Sequence, residues 1–575
     1  MHKIGFYPQL ALRSLRLNGK FYLPYLLSGM VSAAMLYDIL FLNMNRGIYA
    51  LKGVNAVQGL LGFGAMVVAL FSFALLCYTN GFLMKRRQKE LGLYNILGME
   101  KRHLARLLLW ETVFAALLCI LGGLLLGVLL SKLFLLLLCA VIQAEVPFGF
   151  EVPRDAAIYT AVVFGGIFLL NYLLNLLRLN RVKPIELLHG GESGEREPRT
   201  KWVLTALGLL TMGAGYGLSL TVSDPVNALT LFFLAVVLVI VGTYCLFTAG
   251  SIALLKALRK NKKYYYQTRH FTAVSGMLHR MKRNAAGLAT ICTLSTMVLV
   301  TVSTTLCLYV GVDEMLDLMY CRDVQTYVNR GAPEDLPKLK ALYERKAAEL
   351  GVEMKDFAAL CFYAPATEYA NNRTDIEPYL PQADGVDPVG DPSDGPLRVY
   401  VGCNLALDAD ASLFAASVAV GTRDLPLSSS WYFTEDCRAG RTDFWASLGG
   451  FFFIGLFLGA LFLMAAVLIV YYKQVSEGYE DARSFSIMQQ VGMTQAEVKS
   501  SIRSQVSTVF FLPLLAAACH TAGAFPMTKK ILLLFGLSNT GLFLLCSGLT
   551  LLVFALAYYC IYRLTAREYY RIVRR

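Results

Sequence analysis

Ten long apolar stretches, separated by short polar or basic connections, organise this chain: roughly 22–42, 57–80, 107–141, 158–177, 202–221, 228–255, 285–310, 445–472, 506–524 and 540–562. A helix rises about 1.5 Å per residue and the hydrocarbon core is about 30 Å thick, so about 20 apolar residues suffice to cross it. Each stretch is therefore read as a transmembrane helix. The third is longer than a crossing needs and is expected to begin before the membrane. No small-residue cleavage site follows the first, which is read as an uncleaved span rather than a signal peptide. With 56% hydrophobic and 16% charged residues and a mean hydropathy of +0.53, the 575-residue chain is too apolar for an ordinary soluble protein.

The connections differ sharply in charge. Segments 1–20, 82–106, 178–201, 256–284, 473–505 and 563–575 together carry 35 Lys and Arg, whereas the short loops 43–56, 142–157, 222–227 and 525–539 carry five. Basic residues are retained on the cytoplasmic side. Both termini are thus expected in the cytoplasm of a multi-pass plasma-membrane protein, surrounded by membrane lipids. The formal charge of +13 then says nothing about nucleic acid, and no nucleic-acid partner is expected.

Residues 311–443 are the one region long and polar enough for a separate folded domain, expected outside the cell. They hold 12 Lys and Arg against 23 Asp and Glu, a net of −11. Such a charge would attract cationic peptides through its long-range field; an exported domain that merely avoids Lys and Arg would look the same. Residues 333–351 have helical spacing, 397–407 read as a strand, and a loop rich in Pro, Gly and Asp (381–396) separates the two. Asn372 opens an N-x-T match, a motif too common to argue from. Cys321 and Cys437 bracket the domain, and a disulfide between them could close its base.

An internal repeat is the most informative feature. Residues 85–111 and 479–505 align at an offset of 394, with Gly98 on Gly492, Met99 on Met493, Lys89 on Arg483, Leu93 on Ile487 and Glu111 on Gln505. A second pair, beginning at Ala11 and Gly276, precedes spans one and seven and aligns at an offset of 266. The difference is nearly the length of the outer domain, so one helical unit occurs twice and its second copy carries the insertion. The expected fold is an all-α polytopic membrane protein of ten transmembrane helices in two related halves, with one mixed α/β extracellular domain between helices 7 and 8. The divisions are 1–188 (spans one to four, with loop 82–106), a linker at 189–201, 202–270 (spans five and six), 271–310 (elbow helix and span seven), 311–443, and 444–575 (the last three spans, with loop 473–505).

Catalytic motifs are absent: there is no Walker A loop, no H-E-x-x-H, and the six histidines show no ligand spacing. No catalytic, metal or cofactor site is expected, and energy would have to come from a partner. The repeated loops are the natural docking candidates. Each is read as a short amphipathic helix at the membrane surface, with Leu91, Leu93, Ile96 and Leu97 in the first and Phe485, Ile487, Met488 and Val491 in the second. Gly98 and Gly492 fit helix C-caps. The bland reading is an interfacial helix that merely stabilises a tight turn. Glu111 and Gln505 could pair across the two halves or sit in water at the interface, and Lys132 is read as snorkelling.

The E-x-G-x-x-x-x-L-G-M pattern at Glu90 to Met99 and its variant at Ser484 to Met493 resemble the FtsX-like ABC permease superfamily. Ten spans with one large domain between the seventh and eighth resemble its bacitracin-resistance (BceB) type. That resemblance implies a permease subunit, itself no enzyme, bound to a dimer of a separate ABC ATPase that binds the ATP. The docking residues would be Glu90, Leu91, Leu93, Gly98 and Met99, and Arg483, Phe485, Ile487, Gly492 and Met493. It further implies sensing or removal of antimicrobial peptides, or of peptide–lipid complexes, that act on cell-wall lipid intermediates, and signalling to a membrane histidine kinase. Two departures stand beside it: a shorter outer domain, and a second loop with Glu480 and Asp481 where the first has Arg86 and Arg87. An FtsX-like exporter, a regulator of a cell-wall hydrolase and a receptor scaffold without an ATPase remain open alternatives.

Overall fold

The apolar stretches are helices, several of them much longer than a bilayer requires. The structure, a computed structural model, describes residues 5–49, 54–146, 151–181, 202–260, 268–319, 322–363, 387–406, 409–490 and 495–573. In chain order the first helices are α1 (Phe6–Leu17), α2 (Gly19–Met44), α3 (Arg46–Tyr49), α4 (Val54–Ile96), α5 (Lys101–Val141) and α6 (Arg154–Arg181). Next come α7 (Trp202–Thr221), α8 (Pro225–Cys245), a π turn at Leu246–Gly250, α9 (Ser251–Lys260), α10 (Thr268–Val310) and α11 (Val312–Met319). A sheet-bearing segment follows, and the chain ends with three long helices, residues 437–490, 495–533 and 540–573. Ten helical segments among the described residues are long and apolar enough to cross a membrane. The linker 189–201 and the N-x-T match lie outside the described residues.

Helices α2 and α5 share the most extensive helix–helix contact among the described residues. Cys119, Gly123, Gly127 and Ser131, four residues apart, form a buried stripe of small side chains on α5. A Cβ on Gly123 would lie 2.5 Å from Cβ of Ala33 and 2.8 Å from the Met30 carbonyl, and one on Gly127 would lie 2.6 Å from the Tyr37 ring. Lipid tails are as apolar as the side chains, so burial of apolar surface gives helices little reason to associate in a bilayer. Close backbone approach over small residues, with its dispersion contacts, replaces it. Between α4 and α6 the contact is polar: Asn80 and Asn175 exchange amide hydrogen bonds of 2.9 and 3.1 Å.

The inserted segment contributes β1 (Val324–Asn329), α12 (Asp335–Leu350), β2 (Met354–Tyr363), β3 (Leu397–Leu405), α13 (Ala411–Arg423) and β4 (Tyr432–Asp436). Its four antiparallel strands lie in the order β2-β3-β1-β4. The expected helix and strand are both present, with bounds shifted inward. Alternation along β3 sends Val399, Val401, Cys403 and Leu405 into a core shared with α12 and α13, and Tyr400 into a second cluster with Tyr327 and Phe362.

Strand β4 runs without a loop into α14 (Cys437–Gln490), which is followed by α15 (Gln495–Leu533) and α16 (Thr540–Val573). Arg438, at the start of α14, pairs with Asp323 at 2.7 Å and donates to the carbonyls of Leu405, Ala406 and Ala409. Cys437 is buried and its N–H donates to the Asp323 carbonyl at 2.8 Å; Cys321 lies outside the described residues, so the expected disulfide does too. The short helix α11 packs its Val312, Met315 and Leu316 against Leu448 of α14 and Leu532, Leu537 and Phe543 around the α15–α16 turn.

Candidate functional site

The loop expected to dock a partner is a helical hairpin rather than an interfacial helix. Helix α4 continues unbroken from its membrane span to Ile96, and α5 begins at Lys101. The reason is local. Residues 85–96 contain no Pro and only one Gly, so nothing stops the helix before Gly98, which takes φ +96°. The Gly98 N–H donates to the Asn95 carbonyl at 3.1 Å and the Met99 N–H to the Tyr94 carbonyl at 3.0 Å. That is a Schellman closure, in which glycine adopts a left-handed conformation costly for other residues. The Asn95 side chain adds a bond to the Met99 carbonyl at 3.1 Å.

Around this turn the apolar residues divide. Leu91 is buried and, with the partly buried Met99 and Tyr94, packs against Met84, Leu104, Leu108 and Leu179. Leu93, Ile96 and Leu97 point away from that cluster and are 50%, 55% and 73% exposed. Of the residues expected to dock, then, Leu91 and Met99 support the hairpin from within, and the outward apolar surface is made by Leu93, Ile96 and Leu97.

Below the tip lies a buried ionic cluster centred on Arg87. Its guanidinium pairs with Glu111 of α5, donates to the Tyr22 hydroxyl of α2 at 2.7 Å and to Ser14 Oγ of α1 at 2.9 Å, and reaches Glu90 at 3.3 Å. Tyr22 in turn donates to Glu111 at 3.2 Å. Ser14, Tyr22, Arg87 and Glu111 are each no more than 4% exposed. Glu90 also accepts from Asn18, in the break between α1 and α2, at 3.1 Å and from Tyr94 at 3.2 Å. The elbow helix, the first span and both arms of the hairpin therefore meet at one guanidinium. Planar and always charged, arginine can serve four partners at once. Tyr7 of α1 adds a bond of 2.6 Å to Nδ1 of His103, tying the elbow to the start of α5.

These contacts correct two readings. Glu111 is not in water at the interface: it is buried and ion-paired with Arg87 within its own hairpin. The elbows also differ: the first breaks at Asn18, whereas the second is continuous with its span in α10. Arg87 was missed, although one signal was available: in a helical hairpin, residues equally spaced from the tip fall at equal height, and 87 and 111 are equidistant from Met99.

Helices α14 and α15 end and restart at Gln490 and Gln495, each 394 residues beyond Ile96 and Lys101. Arg483, Phe485 and Ile487 lie on α14, but their side chains, like that of Gln505, are outside the described set; Gly492 and Met493 are outside the described residues.

Residues 62–184, which span most of α4, all of α5 and α6, match the family model described as "FtsX-like permease C-terminal". An uncharacterised ABC transporter permease of Bacillus subtilis, YvcS, is 30% identical over 234 residues, 40% of this chain and 36% of that protein. The ABC transporter permease protein YxdM of the same organism is 22% identical over 594 residues, covering 89% of this chain and 92% of its own length. Its bacitracin export permease protein BceB is 28% identical over 301 residues, 50% of this chain and 46% of that protein.

Proposed function

We propose that this FtsX-like ABC transporter permease, a multi-pass membrane protein with bacitracin export permeases among its relatives, senses or removes antimicrobial peptides that act on cell-wall lipid intermediates. A separate ATPase, as a dimer, drives it from the cytoplasm, and a membrane histidine kinase reads its state. The observation that carries the ATPase part is the apolar tip Leu93, Ile96 and Leu97 standing over the buried Arg87 cluster. An exposed apolar knob on a rigid base suits insertion into a partner's groove. A movement imposed on it reaches α1, α2, α4 and α5 together through Arg87.

The peptide part is supported by the acidic sheet domain and by its direct passage into α14. At about 1.5 Å per residue, the 54 residues of that helix extend about 80 Å. A push on β4 is thus delivered along one helix toward the second repeated loop, whose flanking helix ends repeat those of the first at the 394-residue offset. The two repeated loops act unequally, because Asp481 and Gln505 occupy the repeat positions of Arg87 and Glu111 and cannot form that ion pair.

The test is co-expression with an ABC ATPase subunit from the same genome, comparing wild type with Leu93→Asp and Leu97→Asp. Wild type should retain the ATPase through purification and the variants should lose at least tenfold of it, together with peptide-stimulated ATP hydrolysis. A wild-type chain that captures no ATPase would leave the hairpins as structural turns and overturn the reading.

A further inference from the structure

A second feature lies on α4 outside the Arg87 cluster and shares only Met84 with the apolar packing of the hairpin. A cleft of about 410 Å³ opens between the Cys77–Gln88 stretch of α4 and Arg178, near the end of α6. That volume lies within the range of about 300–1,000 Å³ typical of ligand sites. Its polar wall is made by Lys85, Gln88 and Arg178, and its apolar wall by Tyr78, Phe82 and Met84; no carboxylate lines it among the described residues. Lys85 and Arg178 lie three and two residues from the ends of their candidate spans, at Gln88 and Asn180, the level at which lipid headgroups sit. Gly81 makes the room: a Cβ there would lie 3.3 Å from the Arg178 guanidinium.

We infer that this cleft binds the phosphate headgroup of one anionic phospholipid, with the phosphate held between Lys85 and Arg178 and the first part of an acyl chain lying along Tyr78 and Phe82. Three features select that occupant. Two cations line one wall and no anion lines it among the described residues, which calls for a negatively charged ligand. Arginine and lysine suit a phosphate diester, arginine by its fork and lysine as a mobile point charge. Along the candidate span Val57–Gln88, Lys85 and Gln88 lie at its end and Tyr78 and Phe82 lie further inside it, so the cleft is amphipathic in the direction that a lipid is. Phe82 also touches Tyr472 of α14, with ring centroids 4.9 Å apart, which puts the bound lipid at the seam between the two long helices. This inference does not depend on an ATPase or on a peptide.

The simplest rival is that basic residues collect at this boundary and attract anionic lipid diffusely, with no site. A soluble phosphate ester is the other source of the same chemistry. The full chain would be purified into nanodiscs of equal phosphatidylcholine and phosphatidylglycerol, released, and weighed by native mass spectrometry. One phosphatidylglycerol should remain bound to wild type and fall at least tenfold in occupancy both in Lys85→Gln/Arg178→Gln and in Gly81→Leu, which fills the cleft without changing charge. Arg102→Gln/Arg106→Gln, which removes the same charge from the exposed start of α5, should retain it. Equal loss in the control pair, or full retention in Gly81→Leu, would overturn the site. Displacement of the lipid by millimolar glycerol phosphate would overturn the lipid as its occupant. Elution of every variant at the wild-type size-exclusion volume checks folding.

Discussion

Arg87 and Glu111 stand twelve residues before and after Met99, at one height on the two arms of the α4–α5 hairpin, and form an ion pair that is almost wholly buried. The pair binds helices that must otherwise rely on apolar packing to stay in register.

Its removal from one side should be costly. Arg87→Met leaves Glu111 buried without a cation, and breaking a buried pair in this way costs about 3–5 kcal/mol. The double variant Arg87→Met/Glu111→Leu should recover most of that loss, since a buried pair replaced by apolar residues of similar volume is near neutral. Thermal unfolding of the purified protein reads both. The double variant should nonetheless transmit poorly from the tip, because Ser14 and Tyr22 lose their common partner. Stability restored together with full ATP hydrolysis would show that the cluster only holds the fold.

The small-residue stripe on α5 makes a sharper structural prediction. Gly127→Leu would drive a side chain into the Tyr37 ring and the Ala34 carbonyl, 2.6 and 3.2 Å from the position of its Cβ. Neither can move far, because Tyr37 is fully buried. Overpacking of this kind costs about 1–3 kcal/mol or more. The monodisperse fraction after detergent extraction should fall several-fold, while Gly165→Leu, at a position with open space beside it, should extract like wild type. Equal behaviour of the two variants would remove the stripe from the account of how α2 and α5 associate.

These two cases show what could be read without coordinates. The ten spans, and the sheet segment between the seventh and eighth, were legible because each depends on composition over some 20 residues, which a single chain displays directly. Gly98 was legible too, since a glycine at the end of a helical run has few other uses. The Arg87 cluster was hidden because it joins four helices through side chains far apart in sequence, and an Arg near a membrane boundary looks like any other topological charge. The stripe Cys119, Gly123, Gly127 and Ser131 was present in plain sight within a long apolar run, where hydropathy averages it away. The separate interfacial helices were a misreading of amphipathic pattern: Leu91 turned inward and Leu97 turned outward are as compatible with the end of one long helix as with a short one.

In the sheet domain, Asp335 predicts a response to acid. It is fully buried and accepts from the N–H groups of Ala332 and Ser428, from the Ser428 hydroxyl and from Lys338, fastening the segment after α13 to the start of α12. Burial by itself raises its pKa, but the bonds from Ser428, Ala332 and Lys338 outweigh that and hold the carboxyl below its ordinary range. A depressed folded-state pKa contributes stability that is fully present above the unfolded value of about 3.9 and is lost as pH falls through the folded one. The difference in melting temperature between wild type and Asp335→Asn should therefore be constant from pH 7 to about pH 5 and shrink below about pH 4. A difference that grew on acidification would reverse the sign and refute the assignment.

The base of the same domain rests on Arg438, one residue into α14. Its guanidinium serves Asp323 and the carbonyls of Leu405, Ala406 and Ala409, so it joins the start of β1, the end of β3 and the helix that enters the membrane. Charged hydrogen bonds contribute about 1.5–3 kcal/mol each where the partners are removed from water, and Arg438 and Asp323 are only partly so, which favours the lower end. Arg438→Ala should then speed hydrogen exchange about tenfold at the two amides held by Asp323, those of Leu405 and Cys437. Exchange at Gly98 and Met99 should stay at the wild-type rate, because the hairpin turn closes on its own backbone bonds and on Asn95. If Leu405 and Cys437 exchange as slowly in the variant as in wild type, strand pairing alone holds the base, and a force on the domain would reach α14 through β4 without help from Arg438.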